Sequence, residues 1–393
     1  MDSPQYSLGT LAVRGGEERP LALGAAQVPI FQSAAFAYPD VDSWQAAALG
    51  QAPGDIYSRN TNPTVKVFEE KVRLLERAAA ATSFASGMAA ISNTLFSLLR
   101  PGDRVVSITD TYGGTSKLFL KFLPERGIKV ELVETGDHAG LDAAIAAGCR
   151  LVYLETPTNP TLKVVDLRRG LAAAKAVGAI SVVDNTFATP VNQLPIALGA
   201  DLVVHSATKF LGGHDDAMGG IVVGRSDLVS EVYHFREING ACLSAMSAYL
   251  LLRGMKTLEL RVARQNATAL AMAKFLEAHA AVESVFYPGL VTHRDHAIAA
   301  SQMTGFGGVL SFAVKGNVDA STRFLNALRL AQRAASLGSV NTLAGPPRTT
   351  SHVECTPEER ARLGIPESLV RYSCGIENFE DLRADVEQAL QRT

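Results

Sequence analysis

The sequence predicts an α/β protein whose larger part is a doubly wound, mostly parallel sheet. Short apolar runs alternate with longer amphipathic stretches between positions 61 and 245, a pattern typical of parallel strands that are buried on both faces by helices. The chain has 393 residues, of which 47% are hydrophobic and 19% are charged, so it contains enough apolar material for large cores. This composition also excludes a disordered or collagen-like chain.

The charge balance and the cysteines limit the partners and the compartment. Lys and Arg total 37 against 39 Asp and Glu, so no nucleic acid or anionic membrane is expected as a partner. The four cysteines are far apart and form no C-x-x-C pair, which favours reduced thiols and a cytoplasmic location. The N-terminus shows no secretory signal. Residues 78–99 carry no charge, but their Ser, Thr and Asn residues predict a buried strand, turn and helix rather than a membrane span.

The N-terminal segment, residues 1–60, is interrupted by glycine and proline and predicts no regular element. We expect it to be an extended arm that lies on a neighbouring subunit. The second segment, 61–245, predicts the α/β domain. Its elements are a helix at 65–80, a strand at 82–84, a helix at 88–99, a strand at 104–108, a helix at 116–125, a strand at 128–133, a helix at 141–147, a strand at 151–155, a helix at 167–177 and strands at 180–184 and 202–205.

The third segment, residues 246–393, predicts a smaller α+β domain. An Ala- and Leu-rich helix opens it, and the strands that follow are separated by single helices. The predicted elements are a long helix at 245–280, strands at 282–287 and 308–314, a helix at 320–330, a strand at 369–373 and a closing helix at 379–390.

Several common site motifs are missing from the sequence. There is no G-x-G-x-x-G, no G-x-x-x-x-G-K-[ST] and no G-x-S-x-G, which argues against a Rossmann oxidoreductase, a P-loop NTPase and an α/β-hydrolase. His293 and His296 form an H-x-x-H pair without a third ligand nearby in sequence. We therefore expect no metal site there and interpret both as surface or capping residues.

Polar side chains follow two neighbouring strands. Asp184 ends the strand at 180–184, and Ser206, Thr208 and Lys209 follow the strand at 202–205. The carboxyl ends of parallel strands line one crevice, so these groups should meet. A lysine, a carboxylate and two hydroxyls suit pyridoxal 5'-phosphate: the lysine forms a Schiff base, the carboxylate pairs with the pyridine nitrogen, and the hydroxyls bind the phosphate.

A third group of residues supports the prediction of this cofactor. Ser86, Gly87 and Met88 lie between a short strand and a helix, where backbone N–H groups can hold a phosphate. Taken singly, Lys209 could be a solvated surface lysine and Asp184 a strand-end cap. Their joint position at strand ends favours the cofactor site, and a catalytically silent scaffold protein would not be expected to retain the set.

A series of motifs runs along nearly the whole chain. In order, the motifs are 57–64, YSRNTNPT; 86–88, SGM; 110–115, DTYGGT; 155–160, ETPTNP; 183–186, VDNT; 205–209, HSATK; 336–338, SLG; and 371–377, RYSCGIE. Together they resemble the Cys/Met-metabolism family of fold-type I pyridoxal-phosphate enzymes, which includes cystathionine γ-synthase, cystathionine γ-lyase and methionine γ-lyase. The resemblance implies the fold-type I architecture and a homotetramer built of dimers with shared active sites.

The resemblance also implies residue roles at the cofactor. Lys209 would hold the cofactor covalently and move protons, Asp184 would pair with the pyridine nitrogen, and Tyr112 would stack on the ring and assist the leaving group. Asn159 would bond the ring hydroxyl side. The residues implied at the phosphate are Ser86, Gly87, Met88, Ser206 and Thr208, with Tyr57 and Arg59 of the neighbouring subunit.

The implied substrate-binding residues are Arg371, which would grip the α-carboxylate as a planar fork, with Ser336, Asn341 and Tyr57. Each has an ordinary structural alternative: Tyr112 as a core aromatic, Arg371 as a surface ion-pair partner and Tyr57 as arm packing. The family pattern makes these the minority interpretation.

Two positions depart from the family pattern. Methionine γ-lyases usually carry a cysteine where this chain has Gly114. The cystathionine enzymes generally carry a glutamate, facing the far amino group of cystathionine, where this chain has Asn341. A neutral amide cannot give an ammonium the charge-assisted bond that a carboxylate gives.

The implied activity is a pyridoxal-phosphate-dependent γ-elimination on an L-amino acid with a leaving group at Cγ, through a quinonoid and a β,γ-unsaturated intermediate. The two departures point to a small, uncharged or halogenated γ-substituent. The alternative is γ-replacement, as in cystathionine γ-synthase or an O-acylhomoserine sulfhydrylase.

Overall fold

The computed structural model describes residues 6–17, 21–353 and 355–393. It contains two sheets flanked by helices, as the sequence predicts. The helices are α1 (Leu8–Arg14), α2 (Val41–Ala48), α3 (Pro63–Leu75), α4 (Gly87–Leu98), α5 (Gly113–Lys117), α6 (His138–Ala146), α7 (Leu167–Ala176), α8 (Thr189–Asn192), α9 (Ser226–Asn239), α10 (Ala245–Met255), α11 (Leu258–Glu277), α12 (His296–Gln302), α13 (Val318–Ala327), α14 (Pro357–Arg362) and α15 (Phe379–Leu390). The strands are β1 (Ala80–Phe84), β2 (Arg104–Ile108), β3 (Lys129–Val133), β4 (Leu151–Glu155), β5 (Ile180–Asp184), β6 (Leu202–Ser206), β7 (Gly220–Gly224), β8 (Val282–Phe286), β9 (Val309–Val314), β10 (Gln332–Arg333), β11 (Leu343–Gly345) and β12 (Leu369–Ser373).

The larger sheet has the strand order β1-β7-β6-β5-β4-β2-β3. Only β7 runs antiparallel to its neighbours; the remaining pairs are parallel. Every residue of β4 and β5 is buried, which explains their nearly continuous apolar sequences. Because Glu155 is paired with Asp184 in the β4–β5 register, the last residues of these strands stand side by side at one edge.

The smaller sheet has the order β10-β11-β12-β9-β8 and is antiparallel except for the short β10–β11 pair. It has its own apolar core, to which α11, α13 and α15 contribute. Its central strand β12 carries Arg371 opposite Ser311 of β9 and Gly345 of β11. The domain boundaries at residues 60 and 245 stay a prediction.

The predicted long helix at 245–280 is wrong, because the structure has two helices, α10 and α11. A Cβ at Gly254 would lie 2.0 Å from the carbonyl oxygen of Gly212, so α10 packs directly on the loop that follows Lys209. Arg261 then donates to the Gly254 carbonyl at 3.0 Å and to the Phe210 carbonyl at 2.8 Å. The junction between the helices therefore supports the lysine loop.

Other boundaries also differ. Residues 1–60, expected to lack regular elements, include α1 and α2, and Asp40 caps α2 by accepting the Ser43 N–H at 2.7 Å. The predicted helix at 116–125 is α5 followed by a π-helical turn, Leu118–Phe122, and a 3-10 turn. The strand β7 and helix α9 were not predicted. Residues 78–99 do form the expected strand, turn and helix, and no helix in the described part of the chain is long and apolar enough to cross a membrane.

Candidate active site

The carboxylate of Asp184 lies at the buried end of β5. Its Oδ1 accepts the Thr186 N–H at 2.9 Å, and its Oδ2 accepts the Tyr153 hydroxyl at 3.3 Å. Burial raises the pKa of Asp184, against the hydrogen bonds from Thr186 and the charge of His205. A cation placed at this carboxylate would offset the cost of burying it.

The neighbouring carboxyl, Glu155, ends β4 and holds Tyr112. Its Oε2 accepts the Tyr112 N–H at 2.8 Å. Burial and the adjacent charge of Asp184 raise the pKa of Glu155 well above its ordinary value. The ring of Tyr112 is 44% exposed, so this residue is not a core aromatic, and its aromatic face is available to a ligand.

Lys209 follows β6 and is partly buried. Its Nζ donates to Ser336 Oγ at 3.1 Å, and Ser336 Oγ in turn donates to Asp215 Oδ1 at 3.2 Å. Burial and the positive charge of Arg371 lower the pKa of Lys209, whereas the charge of Asp215 raises it. A larger share of the amine is therefore neutral near pH 7 than for a solvated lysine.

Arg371 on β12 is buried and is not a surface ion-pair partner. Its Nη1 donates to Asn159 Oδ1 at 3.1 Å, and its Nη2 donates to the Ser336 carbonyl at 3.1 Å. Burial lowers the pKa of Arg371 to about 10, and the Tyr112 phenol opposes the shift. The guanidinium thus stays charged at neutral pH and has N–H donors left for a carboxylate.

The start of α4 approaches the end of β6. Ser86 caps α4 by accepting the Ala89 N–H at 3.1 Å, and the first N–H groups of a helix have no acceptor within it. A Cβ at Gly87 would lie 2.8 Å from Ser206 Oγ, so only glycine lets the serine hydroxyl meet this helix end. Backbone donors with a hydroxyl form a phosphate site. Thr208 closes the loop instead: its hydroxyl donates to the Gly219 carbonyl at 3.2 Å.

These parts fit pyridoxal phosphate. The lysine has a lowered pKa, the buried carboxylate of Asp184 forms no ion pair with a described side chain, and a helix end with a hydroxyl can bind a phosphate. A family model for Cys/Met metabolism PLP-dependent enzymes matches residues 9–391. The chain belongs to this family.

Individual relatives agree with the family assignment. The chain is 43% identical to an L-methionine gamma-lyase of Pseudomonas putida, over 97% of this chain and 96% of that protein. It is 41% identical to an O-succinylhomoserine sulfhydrylase of Pseudomonas aeruginosa, over 97% and 94%. The solved cystathionine gamma synthase of Xanthomonas oryzae pv. oryzae has a TM-score of 0.93 and 39% identity, over 98% of both chains.

Membership in the Cys/Met-metabolism family confirms the predicted fold-type I architecture. The chain is a pyridoxal-phosphate-dependent γ-lyase or γ-replacement transferase acting on an amino acid. Its cofactor is pyridoxal 5'-phosphate, bound covalently to Lys209. Among the described residues, no group of three or more His, Cys, Asp or Glu side chains is placed to hold a metal ion.

Tyr57 and Arg59 are not joined to the Lys209 group within this chain. The Arg59 guanidinium lies 5.6 Å from the Tyr57 ring centre and donates to the carbonyl of Glu237 on α9 at 2.5 Å. Tyr57 is 44% exposed. The prediction that both residues complete a neighbouring subunit's site concerns an assembly and stays a prediction.

The two positions that depart from the family pattern lie in different surroundings. Asn341 is exposed, and its N–H donates to Ser339 Oγ at 3.3 Å. Gly114 lies beside Tyr112 and Met88, and a Cβ there would come within 2.7 Å of Met88 Sδ. Gly114 and Tyr112 line a cavity of about 700 Å³ whose other wall is the loop with His352.

Sequence reasoning missed several residues that support the site. The sequence shows Tyr153, which holds Asp184, only as part of an apolar strand, and it shows Glu155 only as one member of the ETPTNP motif. Behind Asp184, His205 Nε2 lies 2.6 Å from Glu76 Oε1, and Asn185 donates to the same oxygen at 2.8 Å. Glu155, His205 and Asn185 carry a sequence signal, because each ends or adjoins a predicted strand, whereas Tyr153 and Glu76 carry none.

Proposed function

We propose that this enzyme catalyses γ-elimination on an L-amino acid with a small, uncharged leaving group at Cγ. The observation that carries the proposal is the connected cluster of Lys209, Ser336 and Arg371. It joins a proton acceptor to a carboxylate-binding group at the edge of the sheet where Asp184 lies.

Substrate orientation is the role of Arg371. Asn159 and the Ser336 carbonyl each accept one of its N–H groups, which fixes the guanidinium plane. The remaining donors bind the α-carboxylate as a fork. A fixed carboxylate sets the direction of the Cα–H bond relative to Lys209.

Proton transfer is the role of Lys209. Burial and the charge of Arg371 lower the pKa of Lys209. Once the substrate amine has displaced it from the cofactor, the Lys209 amine can accept the Cα proton, release that proton again, and then accept the Cβ proton. Pyridoxal phosphate, when bound, would supply the electron sink. Asp184 would hold a proton at its pyridine nitrogen, and the Thr186 and Tyr153 hydrogen bonds orient the Asp184 carboxylate.

The leaving group meets Tyr112. Glu155 anchors the tyrosine through its backbone N–H, while the ring and phenol remain exposed. The phenol can therefore stack on the cofactor and donate a proton to a departing γ-substituent.

The proposed substrate class rests on Asn341 and Gly114. Asn341 offers no charge to a distant ammonium. Gly114 supplies no thiol at its own position beside Tyr112, although Cys355 lines the same cavity from the opposite loop. An ester, a thioether or a halide at Cγ needs neither group. Cystathionine loses a charge-assisted contact, which should weaken its binding by roughly 10- to 150-fold relative to an enzyme with the glutamate.

The test is a substrate comparison in the wild type and in Asn341→Glu. We expect the wild type to have a higher kcat/KM for compact γ-substituted amino acids than for cystathionine, and the glutamate to raise the relative value for cystathionine by roughly 10- to 150-fold. Asn341→Gln is the matched control, since it lengthens the side chain without adding charge. A wild type that prefers cystathionine contradicts the proposed substrate class.

The alternative function is γ-replacement. The likeness to an O-succinylhomoserine sulfhydrylase and to a cystathionine gamma synthase favours it. Product analysis separates the two activities: elimination yields a 2-oxo acid and ammonia with or without an added thiol, whereas replacement yields a new thioether amino acid only with the thiol.

We also propose a cytoplasmic homotetramer built of dimers with shared sites. The exposed Tyr57 and the separation of Arg59 from the Lys209 group within one chain support this assembly. Mixing inactive Arg59→Ala with inactive Lys209→Ala should restore activity, because one site of each hybrid dimer then has both residues. Each variant mixed with itself is the control. No recovery after proven subunit exchange contradicts shared sites.

A further inference from the structure

Asp215 lies at the end of a hydrogen-bonded chain that starts at the reactive amine. Lys209 Nζ donates to Ser336 Oγ at 3.1 Å, and Ser336 Oγ donates to Asp215 Oδ1 at 3.2 Å. Asp215 belongs to the loop between Lys209 and β7 and has a φ of +55°. Aspartate adopts this left-handed conformation more readily than most residues, so the loop can present a carboxylate here.

The direction of these hydrogen bonds follows from the groups. A carboxylate only accepts, and a serine hydroxyl has a single proton. With that proton on Asp215, Ser336 Oγ presents its lone pairs to Lys209. Arg371 does not compete for the hydroxyl, because it binds the Ser336 carbonyl instead. The serine is therefore fixed as an acceptor for the lysine.

We propose that Asp215 is a positioning residue that acts through Ser336 to orient the free Lys209 amine and to set the pH range in which it works. This rests on the proposed role of Lys209 in proton transfer. Asp215 touches no reacting atom in this arrangement.

The charges around Lys209 give the direction of the effect. Arg371 lowers the pKa of Lys209, and Asp215 raises it. The adjacent His214 is turned away, since its Nδ1 lies 2.7 Å from the Gly212 carbonyl oxygen. Loss of the Asp215 charge should therefore lower the pKa of the lysine nitrogen further.

The experiment compares Asp215→Asn with Asp216→Asn in the holoenzyme. Both remove one negative charge from an exposed position of the same loop, but only Asp215 contacts Ser336. The first readout is the pH titration of the visible absorbance of the Schiff base. The second is the pH profile of kcat, with KM measured alongside.

We expect the titration and the profile of Asp215→Asn to move to lower pH, and kcat to fall while KM changes little. Asp216→Asn should behave like the wild type. Asp215→Gly, which accepts the positive φ without a side chain, should repeat the effect and so separate it from backbone strain. An unchanged pH profile of kcat in Asp215→Asn, or an equal shift in Asp216→Asn, overturns the proposal.

Lys209→Ala separates this result from the proposed function. Loss of the visible band in that variant shows that the titration reports the lysine nitrogen, and an unchanged Asp215→Asn then counts against Asp215 alone. A band that survives in Lys209→Ala overturns the role of Lys209 and with it the role of Asp215.

Discussion

The two halves of the site are built differently. The cofactor half lies at the ends of β4, β5 and β6, where the sheet register brings Glu155 beside Asp184. The half proposed to select the γ-substituent lies on loops, where Asn341 and Tyr112 are exposed. The comparison teaches that the sheet register fixes the groups proposed for the chemistry, whereas the side chains proposed to select the substrate stand where the fold constrains them less.

The two halves also differ in how firmly buried hydrogen bonds hold their side chains. Glu76, His205 and Asn185 form a fully buried group behind Asp184. On the loop side, the backbone N–H of Asn341 donates a hydrogen bond of 3.3 Å to Ser339 Oγ. Substitutions in the first half should therefore act on stability and turnover, and substitutions in the second half on selectivity.

The largest expected effect is at Lys209. Lys209→Ala should abolish the Schiff base and turnover, because the role of the lysine is covalent. The fold should persist, because its Nζ makes a hydrogen bond only to Ser336 among the described side chains. Visible absorbance and circular dichroism check the two outcomes. A variant that keeps the absorbance band would show that another lysine holds the cofactor.

The next effect is at Arg371, where the two halves meet. Arg371→Lys keeps the charge but loses the planar fork. We expect KM to rise by roughly 10- to 150-fold, since one charge-assisted pair with the α-carboxylate is lost. Steady-state kinetics with a compact γ-substituted amino acid measures the change in KM. Arg348→Lys, at a partly buried arginine that donates to the Glu367 carbonyl, is the control and should leave KM unchanged.

A third expected effect is on stability rather than on activity, and it differs between the halves. Glu76→Ala removes the carboxylate partner of His205 and one of the two acceptors of Asn185, and should lower the free energy of unfolding by roughly 3–5 kcal/mol. Asn341→Ala should change it by less than about 0.5 kcal/mol. Urea unfolding of both variants at one protein concentration compares their free energies of unfolding with that of the wild type. Equal losses would mean that the loop is as firmly held as the sheet.

The sequence predicts the residues of the cofactor half better than the residues that hold them in place. Asp184 and Lys209 could be placed because each adjoins a strand whose apolar sequence is unmistakable. Tyr153 could not, since a buried aromatic within a strand is ordinarily core. Asp215 meets Ser336 across 121 positions, and no local pattern encodes such a contact. The break between α10 and α11 depends on Gly254 touching Gly212, which periodicity cannot reveal.

The Arg261 guanidinium has a consequence for the motions of the enzyme. It donates to carbonyl groups at the end of α10 and in the loop directly after Lys209. We therefore expect the lysine loop and the helix junction to open together in hydrogen exchange, as one cooperative unit. A design that changes the position of Lys209 must also change the α10–α11 junction, although the loop and the junction are far apart in the chain.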